Sequence, residues 1–180
     1  MFENLEKKYN IAYYCNDVLL VSYPKSGRTW LRMMLAKILK DMGESTDRVE
    51  MIPAMHKNPR QVYEEFGKNL KVIFLHRHPA DSTISYYHEK NKSFRSGARF
   101  GGDIFSFLRD EKFGLEENIN FNNNWNKSLK IFKDKIVISY EDLKLNPLPT
   151  LRKVVRFLNL EIADEKILDA IDFSSFDKLA

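Results

Sequence analysis

Val21-Ser-Tyr-Pro-Lys-Ser-Gly-Arg-Thr-Trp30 is the most informative feature of this chain. A run of β-forming residues, 18–23, ends at Pro24, and an apolar pattern at helical spacing begins near Thr29. A strand that passes through a tight loop into a helix presents the loop N–H groups and the helix N-terminus to an anion. The stretch therefore predicts a phosphate-binding loop.

The position of the lysine distinguishes this loop from the common nucleotide-binding loop. There the lysine directly follows the last glycine and precedes Ser or Thr. Here Lys25 precedes Gly27, so the lysine would reach the anion from the other side. Taken alone, the loop is also compatible with an ordinary glycine-containing turn between a strand and a helix.

The composition is that of one globular domain spanning residues 1–180. The chain is 43% hydrophobic and 30% charged, and its length is sufficient to close a core without disulfides. The formal charge of +4, from 29 basic and 25 acidic residues, suits an anionic ligand. It is too small to argue for nucleic acid as a partner.

Cysteine content and hydropathy indicate in which cellular compartment the protein is expected. The single cysteine, Cys15, excludes an internal disulfide and a metal site built from cysteines. The N-terminal residues carry no apolar signal-peptide core, and no segment approaches 18 consecutive apolar residues. We therefore expect a cytoplasmic protein that does not enter a membrane.

Strand and helix patterns alternate along the chain. Short apolar runs at 18–23, 71–75 and 136–139 are typical of buried parallel strands. Helical patterns follow Thr29, cover 59–66, and begin at Pro79 and Pro147, whereas the asparagine-rich segment 118–126 suggests a loop. The alternation predicts a doubly wound α/β sheet. With the phosphate-binding loop after its first strand, the expected fold class is α/β, a P-loop-like three-layer fold in which helices flank a central, mainly parallel sheet. Ligands would bind at the carboxyl ends of its strands.

A second candidate anion site follows the second predicted strand. Arg77 comes directly after the strand, and Ser85 lies eight residues later in the helix that begins near Pro79. A planar guanidinium and a hydroxyl in this arrangement can bind one phosphate, which arginine grips with two hydrogen bonds.

The two motifs together resemble those of the sulfotransferases that use 3′-phosphoadenosine 5′-phosphosulfate (PAPS). Pro-Lys-Ser-Gly-x-Thr-Trp resembles the family's 5′-phosphosulfate loop, and Arg-x-Pro-x-Asp with its later serine resembles the 3′-phosphate signature. Val137-Ile-Ser-Tyr-Glu-Asp-Leu143 resembles a strand whose tyrosine approaches the adenosine, and Phe173-Ser-Ser-Phe176 resembles a late element that closes on the adenine opposite Trp30. For each of these aromatic residues core packing is the alternative. The cofactor-binding residues that the resemblance implies are Lys25, Ser26, Gly27, Arg28, Thr29, Trp30, Arg77, Ser85, Tyr140 and Phe176.

The resemblance also implies the catalytic residues. Lys25 would stabilise the leaving phosphate, and His56 stands where the family carries its catalytic base; Ser85 is the third catalytic candidate. Two cationic sites would neutralise the nucleotide, so we expect no metal. His76 and His78 could face a metal together, but no third ligand is evident.

Three departures separate the chain from the family pattern. Ala54 stands where the family often has a lysine, and the segment before His56 is short. The sequence given ends at Ala180, before the basic Arg-Lys-Gly segment that usually completes the 3′-phosphate site; the loop around Arg95 and Arg99 is a candidate substitute.

The leading hypothesis is a sulfotransferase that uses PAPS and a small-molecule or glycan-like acceptor bearing a hydroxyl or an amine. One alternative is a non-catalytic protein that binds adenosine 3′,5′-bisphosphate. The other is a nucleotide kinase of the P-loop type, which would require lysine after the last glycine and a strand-end aspartate for Mg²⁺. The identity of the acceptor and the oligomeric state stay open.

Overall fold

A computed structural model describes residues 18–44, 58–67, 69–92 and 99–175. His56, Phe176, Arg95 and Cys15 lie outside these ranges. The elements of the described ranges, in chain order, are β1 (Val18–Val21), α1 (Arg28–Asp41), α2 (Pro59–Phe66), β2 (Lys71–His76), α3 (Pro79–Lys92), α4 (Ile104–Leu108), α5 (Leu115–Ser128), a 3₁₀ turn (Leu129–Ile131), β3 (Lys135–Ser139), α6 (Tyr140–Leu145), α7 (Pro147–Phe157) and α8 (Asp164–Phe173).

The sheet of the described ranges has three parallel strands in the order β1-β2-β3. Val21 is paired with Phe74, and His76 with Ser139. Because all three strands point the same way, the residues that follow them meet at one edge of the sheet. The three strands are close to those expected from the sequence, and the predicted fold class, a parallel sheet flanked by helices, is confirmed.

Alternation of side chains along the strands divides the core into two layers. Leu20, Ile73 and Leu75 face one layer, which includes the apolar face of α1 and parts of α7 and α8. Leu19, Val21, Val72 and Phe74 face the other, which is rich in aromatic residues and includes Tyr86 and Trp125. Such a sheet, covered on both sides, needs the continuous apolar strands that the sequence provides.

Helix boundaries follow local chemistry. Asn58 and Gln61 form a capping box with the backbone at the start of α2, and Pro59 occupies its first turn. Pro79 and Pro147 open α3 and α7, as the sequence predicts. Within the described ranges no helix combines the length and apolarity needed to cross a bilayer.

The prediction of a loop in the asparagine-rich segment 118–126 was wrong. The segment lies in the middle of α5. Asparagine is a poor helix former, but Asn118, Phe121, Trp125 and Leu129 recur at helical spacing and are all buried. Burial of this face therefore outweighs the low helix propensity of the exposed asparagines.

Candidate functional site

The loop between β1 and α1 has the backbone of an anion site. Lys25 and Gly27 both adopt left-handed conformations, with φ of 62° and 93°. Alternation of left- and right-handed residues turns successive N–H groups toward one side. Gly27 is the N-cap of α1; no side chain caps the helix, and its first turn contains no acidic residue. The free N–H groups of that turn are thus available to a ligand.

Both the backbone conformation at position 27 and the adjacent side chain of Tyr140 require a glycine there. A Cβ atom at this position would lie 2.6 Å from Cδ2 of Tyr140, the first residue after β3. Real Cβ contacts are not this short, and the positive φ disfavours any residue with a side chain. The tyrosine ring thereby packs directly on the loop backbone.

A cavity of about 580 Å³ lies beside this loop, between α1 and α3. Its charged lining is dominated by cations: Lys25, Arg28, Arg77 and Lys90 face a single carboxylate, Glu89, among the described lining residues. The remaining described residues that line it are Tyr23, Pro24, Gly27, Thr29, Trp30, Ser85, Tyr86 and Tyr140. An excess of positive charge in a concave site favours an anionic ligand.

Arg77 links the second anion motif to the first. It follows β2 directly, and its Nη1 donates a 3.0 Å hydrogen bond to the carbonyl oxygen of Lys25. Its guanidinium carbon lies 4.3 Å from the ring centroid of Tyr140. Its Nε atom is buried and has no hydrogen-bond partner in the described part of the protein. A buried donor of this kind is one that a ligand can satisfy.

Arg28 and Ser26 carry two more buried polar atoms without a partner among the described residues, the Nη1 atom and the hydroxyl oxygen. Burial, together with the nearby Arg32, lowers the pKa of the Arg28 guanidinium, whereas Glu89 opposes the shift. Arginine stays protonated regardless. Arg28 is therefore a half-buried positive charge on the wall of the cavity.

Trp30 lies on the aromatic side of the cavity. Its indole Nε1 donates a 2.9 Å hydrogen bond to the carbonyl oxygen of Ser174, and its ring is 6.0 Å from that of Tyr140 at an angle of 60°. Trp30 and Tyr140 were both predicted site residues, and both line the cavity. Phe176, which the sequence paired with Trp30, lies outside the described residues.

A buried asparagine fixes the helix that carries Ser85. The side-chain amide nitrogen of Asn118 lies 3.0 Å from the carbonyl oxygen of Pro79, 2.8 Å from Ser82 Oγ and 2.9 Å from Thr83 Oγ1, and these three acceptors share its two N–H groups. Asn118 is on α5 and is completely buried. The start of α3 is thus held to α5 by a polar contact inside the core.

The cavity brings together most of the residues expected from the sequence. Lys25, Gly27, Arg28, Thr29, Trp30, Arg77, Ser85 and Tyr140 all line it, and Ser26 lies buried within the same loop. His56, the expected base, lies outside the described residues. Among the described residues, no three His, Cys, Asp or Glu side chains are grouped so that they could hold a metal ion.

Sequence reasoning missed five lining residues, Tyr23, Pro24, Tyr86, Glu89 and Lys90. Glu89 is one helical turn beyond Ser85, and this spacing places both residues on one face of α3. The spacing could therefore have identified Glu89 as a site residue from the sequence. The Tyr23 hydroxyl donates to the carbonyl of Phe113 at 3.2 Å. Burial is the main cause that raises the pKa of both Tyr23 and Tyr86.

A second cavity, of about 380 Å³, adjoins the first. The two share Tyr23, Pro24 and Tyr86, and the second is also lined by Glu111, Lys112, Phe113 and Glu117. Tyr86 and Phe113 are in edge-to-face contact, with ring centroids 5.9 Å apart. The second cavity thus combines aromatic and charged side chains.

Comparison with known proteins identifies relatives of this chain. A family profile described as the sulfotransferase domain matches residues 15–180. Sulfotransferase 6B1 of Danio rerio is 25% identical over 98% of this chain and 68% of its own length. Flavonol 3-sulfotransferase of Flaveria bidentis is 24% identical over 92% of this chain and 65% of its own length.

The solved structures include close matches to the fold. Mouse sulfotransferase SULT7A1, complexed with PAP, has a TM-score of 0.71 and 22% identity, over 92% of this chain and 67% of that one. The chain thus spans about two thirds of the length of these relatives. Because the family profile covers nearly the whole sequence, the resemblance found in the sequence is confirmed: the chain belongs to the sulfotransferase family.

Proposed function

We propose that this chain transfers a sulfuryl group from PAPS to a hydroxyl or an amine of a small-molecule acceptor. The observation that carries the proposal is that residues of both anion motifs line one cavity, Lys25 and Gly27 from the first and Arg77 and Ser85 from the second. A nucleotide with anionic groups on both its 5′ and 3′ oxygens needs two such sites. Membership of the sulfotransferase family supports the same reaction.

The residues present fit the nucleotide. The buried Nε of Arg77 and Nη1 of Arg28 are donors without partners in the described part of the protein, and such donors suit phosphate oxygens. The cavity volume of about 580 Å³ is within the usual range of ligand sites. Trp30 and Tyr140 add aromatic surface for a purine base.

We assign the two ends of the cavity to the two ends of the nucleotide. The loop backbone, the N-terminus of α1 and Lys25 would hold the 5′-phosphosulfate, and Arg77 with Ser85 would hold the 3′-phosphate. The hydrogen bond from Arg77 to the carbonyl of Lys25 supports a compact arrangement, because it joins the two sites directly.

The donor supplies the sulfuryl group, and adenosine 3′,5′-bisphosphate is its leaving group. Transfer breaks the bond between sulfur and the bridging oxygen, whose electron pair stays with the phosphate. The acceptor's lone pair forms the new bond to sulfur. Lys25 would stabilise negative charge on the bridging oxygen, and His56 would remove the acceptor proton. Positioning and charge stabilisation then carry most of the catalysis.

The second cavity is our candidate for the acceptor site. It shares Tyr23, Pro24 and Tyr86 with the nucleotide cavity, so a molecule bound there would face the phosphate loop. Its volume of about 380 Å³ suits a small molecule. One relative is a flavonol sulfotransferase, which supports an acceptor of this class. The cytoplasmic location expected from the sequence stays a prediction.

The test is to measure bisphosphate affinity by calorimetry and single-turnover transfer of labelled sulfate to a phenol. Lys25→Ala should impair both, since Lys25 would contact the 5′-phosphate before and during transfer. His56→Ala should slow transfer by about 10²- to 10⁴-fold and leave affinity nearly intact. His88→Ala, which removes an exposed histidine of α3 that does not line the cavity, is the control.

Two outcomes would revise the assignment. An unchanged transfer rate in His56→Ala would remove the base role from that residue. A wild-type protein that binds the bisphosphate but sulfates no acceptor in a broad panel would favour the non-catalytic binder instead.

A further inference from the structure

Glu89 lies where a carboxylate is unexpected. Its Oε2 atom is 3.3 Å from Nζ of Lys25, the lysine of the phosphate loop. Among the described residues that line the cavity it is the single acid, and four of the others are basic. A carboxylate weakens the binding of an anion by like-charge repulsion, so its presence at this position calls for a role.

The contacts of Glu89 are those of a bound anion. It pairs with the Lys25 ammonium, and its charge also favours the protonated form of the buried Arg28 guanidinium. It thus interacts with two cations of the cavity, one of which, Lys25, we assign to the 5′ end of the nucleotide. The carboxylate is a stand-in, supplied by the protein itself, for one of the ligand's anionic groups.

The pair is built so that a ligand can separate it. The side chains of Lys25 and Glu89 are 36% and 40% exposed, and both are long and flexible. Exposed pairs of this kind are weak, so a phosphate bound by the loop N–H groups can take over the ammonium. Glu89 can then turn toward solvent without leaving an unpaired charge buried.

We infer that Glu89 is a positioning residue for Lys25: it holds the ammonium over the loop before the donor binds and competes with the 5′-phosphate for it. The inference rests on the proposed function, because it takes the loop to bind that phosphate. Glu89 thereby lowers donor affinity, and it keeps the lysine directed into the cavity rather than extended into solvent.

The test compares two nucleotides on two proteins by calorimetry. Glu89→Gln should bind adenosine 3′,5′-bisphosphate roughly three- to tenfold more tightly than the wild type, given the usual strength of such pairs and the added repulsion. Adenosine 3′-phosphate, which lacks the 5′-phosphate, should bind both proteins equally. Glu161→Gln is the matched control; it removes the same charge from an exposed position that does not line the cavity.

A double-mutant cycle separates competition for Lys25 from plain repulsion. In a Lys25→Met background most of the gain from Glu89→Gln should disappear, because the ammonium for which the two anions compete is gone and only the repulsion between Glu89 and the phosphate remains. A gain of undiminished size in that background would show repulsion alone and overturn the inference. So would an equal gain for both nucleotides, or no gain. A wild-type protein that binds neither nucleotide would instead refute the proposed function.

Discussion

The guanidinium carbon of Arg77 lies 4.3 Å from the ring centroid of Tyr140, and the same group donates a hydrogen bond to the Lys25 carbonyl. Arg77 follows β2, Tyr140 follows β3, and Lys25 follows β1. One side chain therefore connects the ends of all three strands. Its planar group is oriented by the ring on one side and by the carbonyl at one edge, which leaves the buried Nε for a ligand.

This arrangement predicts that lysine cannot replace arginine at position 77. Arg77→Lys keeps the charge but loses the planar stacking and the second donor, so affinity for adenosine 3′,5′-bisphosphate should fall by at least about tenfold. Arg77→Ala should abolish the preference for the bisphosphate over ADP. Calorimetry with both nucleotides measures the change. Tyr140→Phe, which keeps the ring, is the control and should bind like the wild type; unchanged affinity for the bisphosphate in Arg77→Lys would contradict the prediction.

A second prediction concerns Gly27. Gly27→Ala should lower the free energy of unfolding by about 3 kcal/mol or more, since the positive φ and the contact with Tyr140 both oppose a Cβ. Gly43 is a matched control, because its φ is also positive at 73° but nothing lies within 4 Å of a Cβ there. Gly43→Ala should cost about 1 kcal/mol. Equal losses in urea denaturation would show that the ring contact is unimportant.

The buried amide of Asn118 gives a third prediction. Asn118→Ala removes the buried amide whose two N–H groups bond three acceptors in the core, and should lower the free energy of unfolding by about 2–3 kcal/mol. Asn120→Ala, on the exposed face of the same helix, should stay within about 0.5 kcal/mol of the wild type. Urea denaturation measures the free energy of unfolding of both variants. A small loss in Asn118→Ala would mean that water replaces the amide.

Alkaline pH should destabilise the protein through Tyr23 and Tyr86. Burial raises the pKa of both hydroxyls above the ordinary value of 10.0. Above pH 10 the unfolded chain therefore binds fewer protons than the folded one, and the free energy of unfolding falls as pH rises. Each group contributes at most about 1.4 kcal/mol per pH unit. Tyr23→Phe should make the decline shallower between pH 10 and 11 in urea denaturation; an unchanged slope would contradict this origin.

The last prediction is that sulfate transfer survives chelation. Four basic side chains line the nucleotide cavity and can neutralise the phosphates without a divalent cation. Single-turnover transfer in excess EDTA should match the untreated rate. A loss of activity in EDTA that added Mg²⁺ restores would instead support the hypothesis of a P-loop-type nucleotide kinase.

Much of the site could be predicted because its residues belong to short motifs that follow strands. Lys25, Arg77 and Tyr140 each come just after a parallel strand, and parallel strands bring such residues to one edge of the sheet. Their common location thus follows from local sequence and topology alone.

Other features depended on packing that local sequence does not encode. The pairing of Glu89 with Lys25 depends on how α3 is rotated against the loop, which Asn118 on α5 helps to determine. The same asparagine lies in a segment whose composition suggested a loop. There the helical spacing of buried side chains was the better guide, since tertiary burial outweighs weak helix propensity.

Each of the two core layers is in contact with one tryptophan, whose fluorescence can be measured. Its two tryptophans are separated by the sheet, Trp30 against the layer of α1 and Trp125 within the aromatic layer. Trp30 lies on the cavity wall, where a stacked purine would quench its emission, whereas Trp125 is fully buried away from that wall. In a Trp125→Phe variant, the emission of Trp30 in the folded protein would therefore report nucleotide binding, and in a Trp30→Phe variant the emission of Trp125 would report the integrity of the opposite layer.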